Sequence, residues 1–189
     1  MLNANEILFV SGRRFDLVNP RALDFSLADY AHRASRMPAL LCTHVFYSHA
    51  QRVVLLAEMV AGTEGPQGGL WGLLAGAAGV LTGQAAAETD RRADIPVSRL
   101  MEAIERACDL APPGPPLAVR IEDARGRLLL TELRCLGSQG VQWFADEMRE
   151  AGIVPAPRAI RAQPADKAMD AWLNAWRGYA AQYGRGAAV

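Results

Sequence analysis

The 189-residue sequence predicts an all-α bundle of about six or seven helices. Several long segments repeat apolar residues at helical spacing, and stretches rich in Gly and Pro separate these segments. We find no internal repeat and no pattern typical of a parallel sheet. One strand signal, at 7–10 before Gly12, allows a short N-terminal strand pair.

The first half of the chain predicts three helices. A capping-box pattern at Ser26 begins the first helix, and Pro38 ends it because proline does not continue a helix. The second helix is predicted over 47–61, and a loop is expected over 62–69. The third helix, over 70–81, is apolar on all sides and is therefore expected to be buried.

The second half predicts four further helices, and the rigid stretch APPGPP at 111–116 separates the first from the second. The first begins at Asp94 or Pro96, and the others cover 117–136, 141–151 and 165–183. The segment at 141–151 is either a separate short helix or a continuation of the preceding one after Gly137. We expect the last residues, 184–189, to be frayed.

The composition predicts a folded chain without a general attraction to polyanions. Hydrophobic residues make up 51%, and 20 basic side chains balance 20 acidic ones. This balance excludes a general electrostatic attraction to nucleic acid or to an anionic membrane. We expect a single domain over 1–189, with an N-terminal extension over 1–20.

The cysteines and the apolar stretches predict a cytoplasmic protein. Cys42, Cys108 and Cys135 form no CxxC pair, which argues against a disulfide framework or a zinc knuckle and predicts buried free thiols. The longest mainly apolar stretch, 68–83, is too short to span a membrane. The N-terminus lacks the basic-then-apolar order of a signal peptide.

Six segments, in order along nearly the whole chain, resemble one enzyme family. These segments are SGRRFDLVNP (11–20), LADYAHRASR (27–36), FYSHAQR (46–52), LLAGAAGVLTG (73–83), LLTELR (129–134) and IRAQPADKAMDAWLNAW (160–176). In these segments the chain resembles the HD-domain phosphohydrolases. It is most similar to the small bacterial and phage subgroup akin to 5′-deoxynucleotidases and deoxynucleotide triphosphohydrolases. The resemblance implies an HD-like helical bundle.

The resemblance also implies that the chemistry of the family has been lost. In that family a His, an adjacent His-Asp pair and a distant Asp hold a divalent metal, which activates water for phosphate-ester hydrolysis. Arg52, Ala75, Gly76 and Arg125 stand at the four metal positions, and Gly79 and Gln84 stand at the positions of the two acids. A register shift that places Asp123 at the last position leaves the helix at 70–83 without a ligand. We therefore expect no metal, no cofactor and no residue of the family's catalytic set.

Three functions remain open from the sequence. The first is a catalytically degenerate pseudo-phosphohydrolase that serves as a binding or interaction module. The second is a metal-independent sensor of nucleotide or phosphate, in which Arg52 and Arg125 bind the anion and Arg36 and His32 assist them. The third is an active nucleotide phosphohydrolase with relocated ligands, built on His32, His44 or His49.

The two arginines at the metal positions have three possible arrangements. Two buried guanidinium groups are costly without counter-charges. Arg52 and Arg125 are therefore expected to pair with Glu58 or Glu132, to turn towards solvent, or to bind an anion directly. The resemblance implies a homodimer or a complex with another protein. We expect neither nucleic acid nor a membrane as a partner.

Overall fold

The computed structural model describes residues 5–83 and 95–184 and confirms an all-α fold with a two-stranded sheet. The strands are β1 (Glu6–Leu8) and β2 (Arg14–Asp16). The helices are α1 (Leu27–Ser35), α2 (His49–Leu73), α3 (Ala77–Thr82), α4 (Val97–Cys108), α5 (Pro115–Leu136), α6 (Gln142–Glu150) and α7 (Ala165–Gln182). Short 3-10 turns occupy Ala22–Asp24 and Gln139–Val141.

The N-terminal strand pair is confirmed as an antiparallel hairpin. Ile7 pairs with Phe15, and both side chains are buried against the helices. Gly12 has a φ of +82° in the turn, a conformation that side chains with a Cβ rarely adopt.

Helix α1 begins at the predicted cap, but Asp29 has a second partner. The Ser26 hydroxyl accepts a hydrogen bond from the Asp29 amide at 3.2 Å. The Asp29 carboxylate accepts bonds from the Ser11 amide at 3.2 Å and from the Ser11 hydroxyl at 2.6 Å. Asp29 therefore ties the hairpin to α1 instead of completing the capping box.

The loop predicted over 62–69 is too long, because the chain is helical up to residue 64 and again after the break at Gly65. Only Gly65 departs from helical geometry, with a φ of +68°, and Pro66 follows it at a kink. The chain folds back there, since a Cβ built on Gly72 would lie 2.6 Å from the Cα of Ala57. The two halves of α2 therefore pack backbone against backbone.

The single helix predicted over 70–81 is also wrong, although its burial is confirmed. Helix α2 ends at Leu73, and Gly76 has a φ of +77°, a left-handed conformation that does not continue a right-handed helix. Helix α3 begins at the next residue. Leu70, Leu73 and Leu81 are almost completely buried.

The later helices confirm the predictions within one or two residues. Residue 94 and residues 185–189 lie outside the described residues, so the start predicted at Asp94 and most of the predicted frayed tail do too. The prediction of buried thiols is wrong in degree: the three cysteines, all within the described residues, form no disulfide bond and are only half-buried. No helix within 5–83 and 95–184 is both long and apolar enough to cross a bilayer.

Trp172 lies at the centre of the main core. Its side chain is fully buried, packs edge-on against Tyr30 at 5.2 Å and stacks on Trp176 at 5.6 Å. Its indole N–H donates to the carbonyl of Leu73 at 3.2 Å. Helix α7 is thereby fixed against the end of α2, next to the turn that precedes α3.

Candidate functional site

Three segments meet around His49, the first residue of α2. The His49 Nε2 donates a hydrogen bond to the carbonyl oxygen of Ala75 at 3.1 Å. A Cβ built on Gly76 would lie 3.0 Å from the His49 Cε1. The imidazole therefore packs on the turn between α2 and α3, which carries Ala75 and Gly76, the residues at two of the metal positions implied by the resemblance.

His49 is neutral at pH 7. Its pKa is lowered from 6.5 to about 4, first by burial and then by the positive charge of Arg52. The hydrogen bond to Ala75 opposes this shift, while the charge of Arg125 on α5 adds to it. The charges of Arg52 and Arg125 thus affect the His49 imidazole, and Ala75 and Gly76 contact it.

Beside His49, Arg52 pairs with a buried carboxylate. The Arg52 Nε lies 3.3 Å from Oε1 of Glu132, whose side chain is fully buried. Arg52 also donates to the carbonyl of Ala39 at 3.4 Å. One of the three expected arrangements, pairing with Glu132, therefore describes Arg52.

Tyr47 completes this cluster. Its hydroxyl donates to Oε1 of Glu132 at 2.9 Å. Burial raises the pKa of Glu132, and the Arg52 charge and the Tyr47 hydrogen bond oppose that shift. Burial, and then the nearby Glu132 carboxylate, also raise the pKa of Tyr47. Among the described residues, Oε2 of Glu132 has no hydrogen-bond partner.

Arg125 lies at the surface and has a different partner. Its side chain is 44% exposed and its Nη1 lies 2.8 Å from Oε1 of Glu122, one turn earlier on α5. The other carboxylate considered from the sequence, Glu58, pairs with Arg158 at 2.7 Å. The two arginines therefore do not converge on one buried anion.

The remaining candidates lie elsewhere. His32 and Arg36 line a separate cleft on α1, and Arg36 pairs with Asp166 at 2.8 Å. His44 lies in the loop before α2, and Gly79 lies within α3. Gln84 is outside the described residues. His32, His44 and His49 thus do not form one cluster.

The residues at the implied metal position do not fit a divalent cation. The His49 Nε2 is committed to a backbone carbonyl and the Glu132 Oε1 to Arg52 and Tyr47. A guanidinium group offers no lone pair to a metal. Within the described ranges, no three His, Cys, Asp or Glu side chains are grouped closely enough to hold an ion.

The sequence did not identify the structural roles of Tyr47 and His49. Both flank Ser48, whose hydroxyl caps α2 by accepting from the Gln51 amide at 3.2 Å. An aromatic hydroxyl and an imidazole on either side of a helix cap are a weak signal. The contact with Ala75, 26 positions further on, depends on the tertiary fold.

No protein-family model matches the chain, and no curated protein is significantly similar to it. A functional assignment must therefore start from the geometry of the His49–Arg52–Glu132 cluster.

Proposed function

We propose that the chain is a catalytically degenerate HD-like domain, a pseudo-phosphohydrolase that acts as a binding or interaction module without a metal or a cofactor. The proposal joins the sequence resemblance to the geometry around His49. In the resemblance, the positions of Arg52, Ala75, Gly76 and Arg125 hold a catalytic metal.

The observation that carries the proposal is the ion pair between Arg52 and Glu132. A guanidinium group and a buried carboxylate supply within the protein the opposite charges that a metal and its ligands would supply. The His49 imidazole packs on Gly76 beside this pair. These contacts support a role for the pocket in stabilising the fold.

The alternative of a nucleotide sensor built on Arg52 and Arg125 has less support. An anion at Arg52 would have to compete with Glu132, which is fully buried and cannot move into water without opening the core. Arg125 is available at the surface, but alone it supplies one exposed charge. The second alternative, an active phosphohydrolase with relocated ligands, needs a cluster that His32, His44 and His49 do not form.

Metal analysis and a hydrolysis assay test the proposal together. We expect substoichiometric Mn, Fe, Co and Ni in the purified protein, and no release of phosphate from deoxynucleoside mono- or triphosphates with added Mn²⁺ or Co²⁺. Stoichiometric metal with turnover would refute the proposal. Any turnover should be repeated with His32→Ala, His44→Ala and His49→Ala, since a loss of activity in one of them would assign the reaction to this chain.

The interaction part of the proposal needs an accessible apolar surface. Trp143 and Phe144, at the start of α6, are 60% and 38% exposed, and their rings lie 5.7 Å apart. Thr43 bridges to Gly137, which brings the loop that carries Phe46, 49% exposed, to the segment just before α6. Exposed aromatic residues in groups are typical of protein contacts.

We propose a second copy of the chain, in the cytoplasm, as the partner at this surface. Light scattering after size-exclusion chromatography should show a dimer that Trp143→Ser dissociates. Val119→Ser is the matched control, because Val119 is 59% exposed on α5 and should not affect assembly. A monomer at all concentrations would exclude the second copy and leave a different protein as the partner.

A further inference from the structure

A second cleft lies between the N-terminal hairpin and α1, away from the His49–Arg52–Glu132 cluster. Its volume is about 580 Å³, within the range of small-molecule sites. It is lined by Leu8, Phe9 and Val10 of the hairpin and by Met37 and Pro38 after α1. None of Arg52, Ala75, Gly76 and Arg125 lines it, so this cleft is not the position where the resemblance places a metal.

The wall that α1 contributes is a polar stripe along one face of the helix. Asp29, His32, Arg33 and Arg36 line the cleft and are spaced i, i+3, i+4 and i+7, which places them on one side of a helix. Asp29 is engaged with Ser11. Arg33 Nε donates to the carbonyl of Val80 at 2.7 Å, at the end of α3. These two residues therefore form the fixed part of the wall.

His32 and Arg36 are the part of this wall that can meet a ligand. The His32 side chain makes no hydrogen bond to another described residue. Arg36 is held in place by its Nη1, which donates to the Ser35 hydroxyl at 3.1 Å and to the His32 carbonyl at 3.3 Å. Its Nη2 contacts Asp166, whose side chain is 77% exposed. An exposed carboxylate of this kind is displaced at little cost.

We propose that this cleft binds a small amphiphilic anion, with an apolar ring against the hairpin and a phosphate or carboxylate head on Arg36 and His32. The apolar wall accounts for the ring, since Leu8 and Val10 are 53% and 70% exposed beside a concave surface. The guanidinium of Arg36 accounts for the anionic head, because it binds such groups by charge-assisted hydrogen bonds. The inference deepens the proposed binding role.

Three probes separate the contributions of ring and head. 1-Naphthyl phosphate carries both parts, 1-naphthol carries the ring alone, and inorganic phosphate carries the head alone. Titrations followed by amide chemical shifts, in buffer with EDTA, should show 1-naphthyl phosphate binding at least tenfold more tightly than either part. The shifted amides should lie at Leu8, Val10, His32 and Arg36, and not at Gly76. A carboxylate analogue, 1-naphthoate, then shows which head group is preferred.

Two substitutions with opposite effects make the test specific. Arg36→Gln should weaken binding about tenfold, while Asp166→Asn should tighten it about threefold because it removes the competing carboxylate. Arg21→Gln is the matched control, since Arg21 is an exposed arginine paired with Asp24 at 2.7 Å outside the cleft. A purely structural Arg36–Asp166 pair predicts no gain of affinity from Asp166→Asn.

The proposal is overturned if no probe shifts the cleft amides, or if Arg36→Gln and Arg21→Gln bind equally well. The EDTA keeps this result independent of the metal question. Turnover with added metal would refute the pseudo-phosphohydrolase and leave the cleft intact. Absence of binding would refute the cleft and leave the pseudo-phosphohydrolase intact.

Discussion

The Nε atom of Arg52 lies 3.3 Å from Oε1 of Glu132, and these two residues join α2 to α5 across the core. Truncation of the arginine would leave a buried carboxylate without its cation. Breaking a buried pair in this way costs about 3–5 kcal/mol. We expect Arg52→Ala to lower the free energy of unfolding by about 3 kcal/mol in urea titrations, with the helical content of the folded state unchanged.

Arg125→Ala is the control for this prediction. Arg125 is half-exposed and its pair with Glu122 is a surface pair one helical turn apart. Such pairs contribute about 0.3–0.5 kcal/mol. If Arg52→Ala and Arg125→Ala lowered the free energy of unfolding equally, the Arg52 charge would not stabilise the buried Glu132 carboxylate.

The close contact of Gly72 with Ala57 predicts a second large effect. A methyl group at position 72 would meet the Ala57 Cα at 2.6 Å and its backbone nitrogen at 2.9 Å, so the two halves of α2 would have to separate. Forced insertions of this kind cost about 1–3 kcal/mol. We expect Gly72→Ala to reduce stability by about that amount, measured by urea or thermal unfolding.

Gly62→Ala tests the same chemical change in open space. Gly62 lies in the first half of α2, and a Cβ built there has no heavy atom within 4 Å. Since Ala is favoured over Gly in helices by about 1 kcal/mol, this substitution should stabilise the protein. If Gly72→Ala and Gly62→Ala changed the free energy of unfolding in the same direction, the close packing of Gly72 on Ala57 would be contradicted.

His49 predicts a loss of stability in mild acid. Its pKa is about 4 in the folded protein, below its ordinary value of 6.5. Between these values the unfolded chain binds a proton that the folded chain does not, so stability falls as pH decreases from 6.5 to 4. The shift corresponds to roughly 3 kcal/mol. Below pH 4 this contribution becomes constant.

His49→Gln isolates this contribution. The raised pKa of Glu132 acts in the opposite direction, because its stabilising effect is present below 4.5 and is lost as pH rises through the folded value. Glu132 contributes to the stability of both wild type and His49→Gln, so its contribution cancels when one free energy of unfolding is subtracted from the other. That difference should vary with pH between 4 and 6.5, and a flat difference would contradict the neutral, buried imidazole.

The helices were predictable because their apolar residues repeat at helical spacing. The breaks within α2 and before α3 were not predictable in this way. A glycine-rich segment favours a loop on composition, yet residues 62–64 stay helical and Gly65 alone turns the chain. Conversely, the uncharged apolar segment at 70–81 favours one helix on composition. In the structure, Gly76 interrupts it with a left-handed conformation. Both outcomes depend on helix packing, such as Gly72 on Ala57, which a linear pattern does not contain.

The site was predictable in its positions but not in its contacts. Arg52 was identified from the resemblance, and Glu132 was one of two expected partners. Arg125 pairs with neither expected partner, because its guanidinium forms an ion pair with Glu122, one helical turn away. Arg36 and His32 were grouped with Arg52 from the sequence, but they line a separate cleft. Side-chain direction, which decides such groupings, depends on the tertiary structure.

Two fully buried tyrosines give a matched pair of predictions. The Tyr47 hydroxyl donates to Glu132 at 2.9 Å, whereas the Tyr30 hydroxyl has no hydrogen-bond partner among the described residues. Removal of a satisfied buried hydroxyl exposes the other partner to a desolvation cost of about 1–3 kcal/mol. Removal of a buried hydroxyl that has no hydrogen-bond partner instead eliminates the desolvation cost of that hydroxyl. Thermal unfolding should therefore show that Tyr47→Phe lowers the melting temperature and that Tyr30→Phe leaves it unchanged or raises it. If Tyr47→Phe left the melting temperature unchanged, the Tyr47–Glu132 bond would not contribute to stability, and the proposed structural role of the cluster around Glu132 would lose its support.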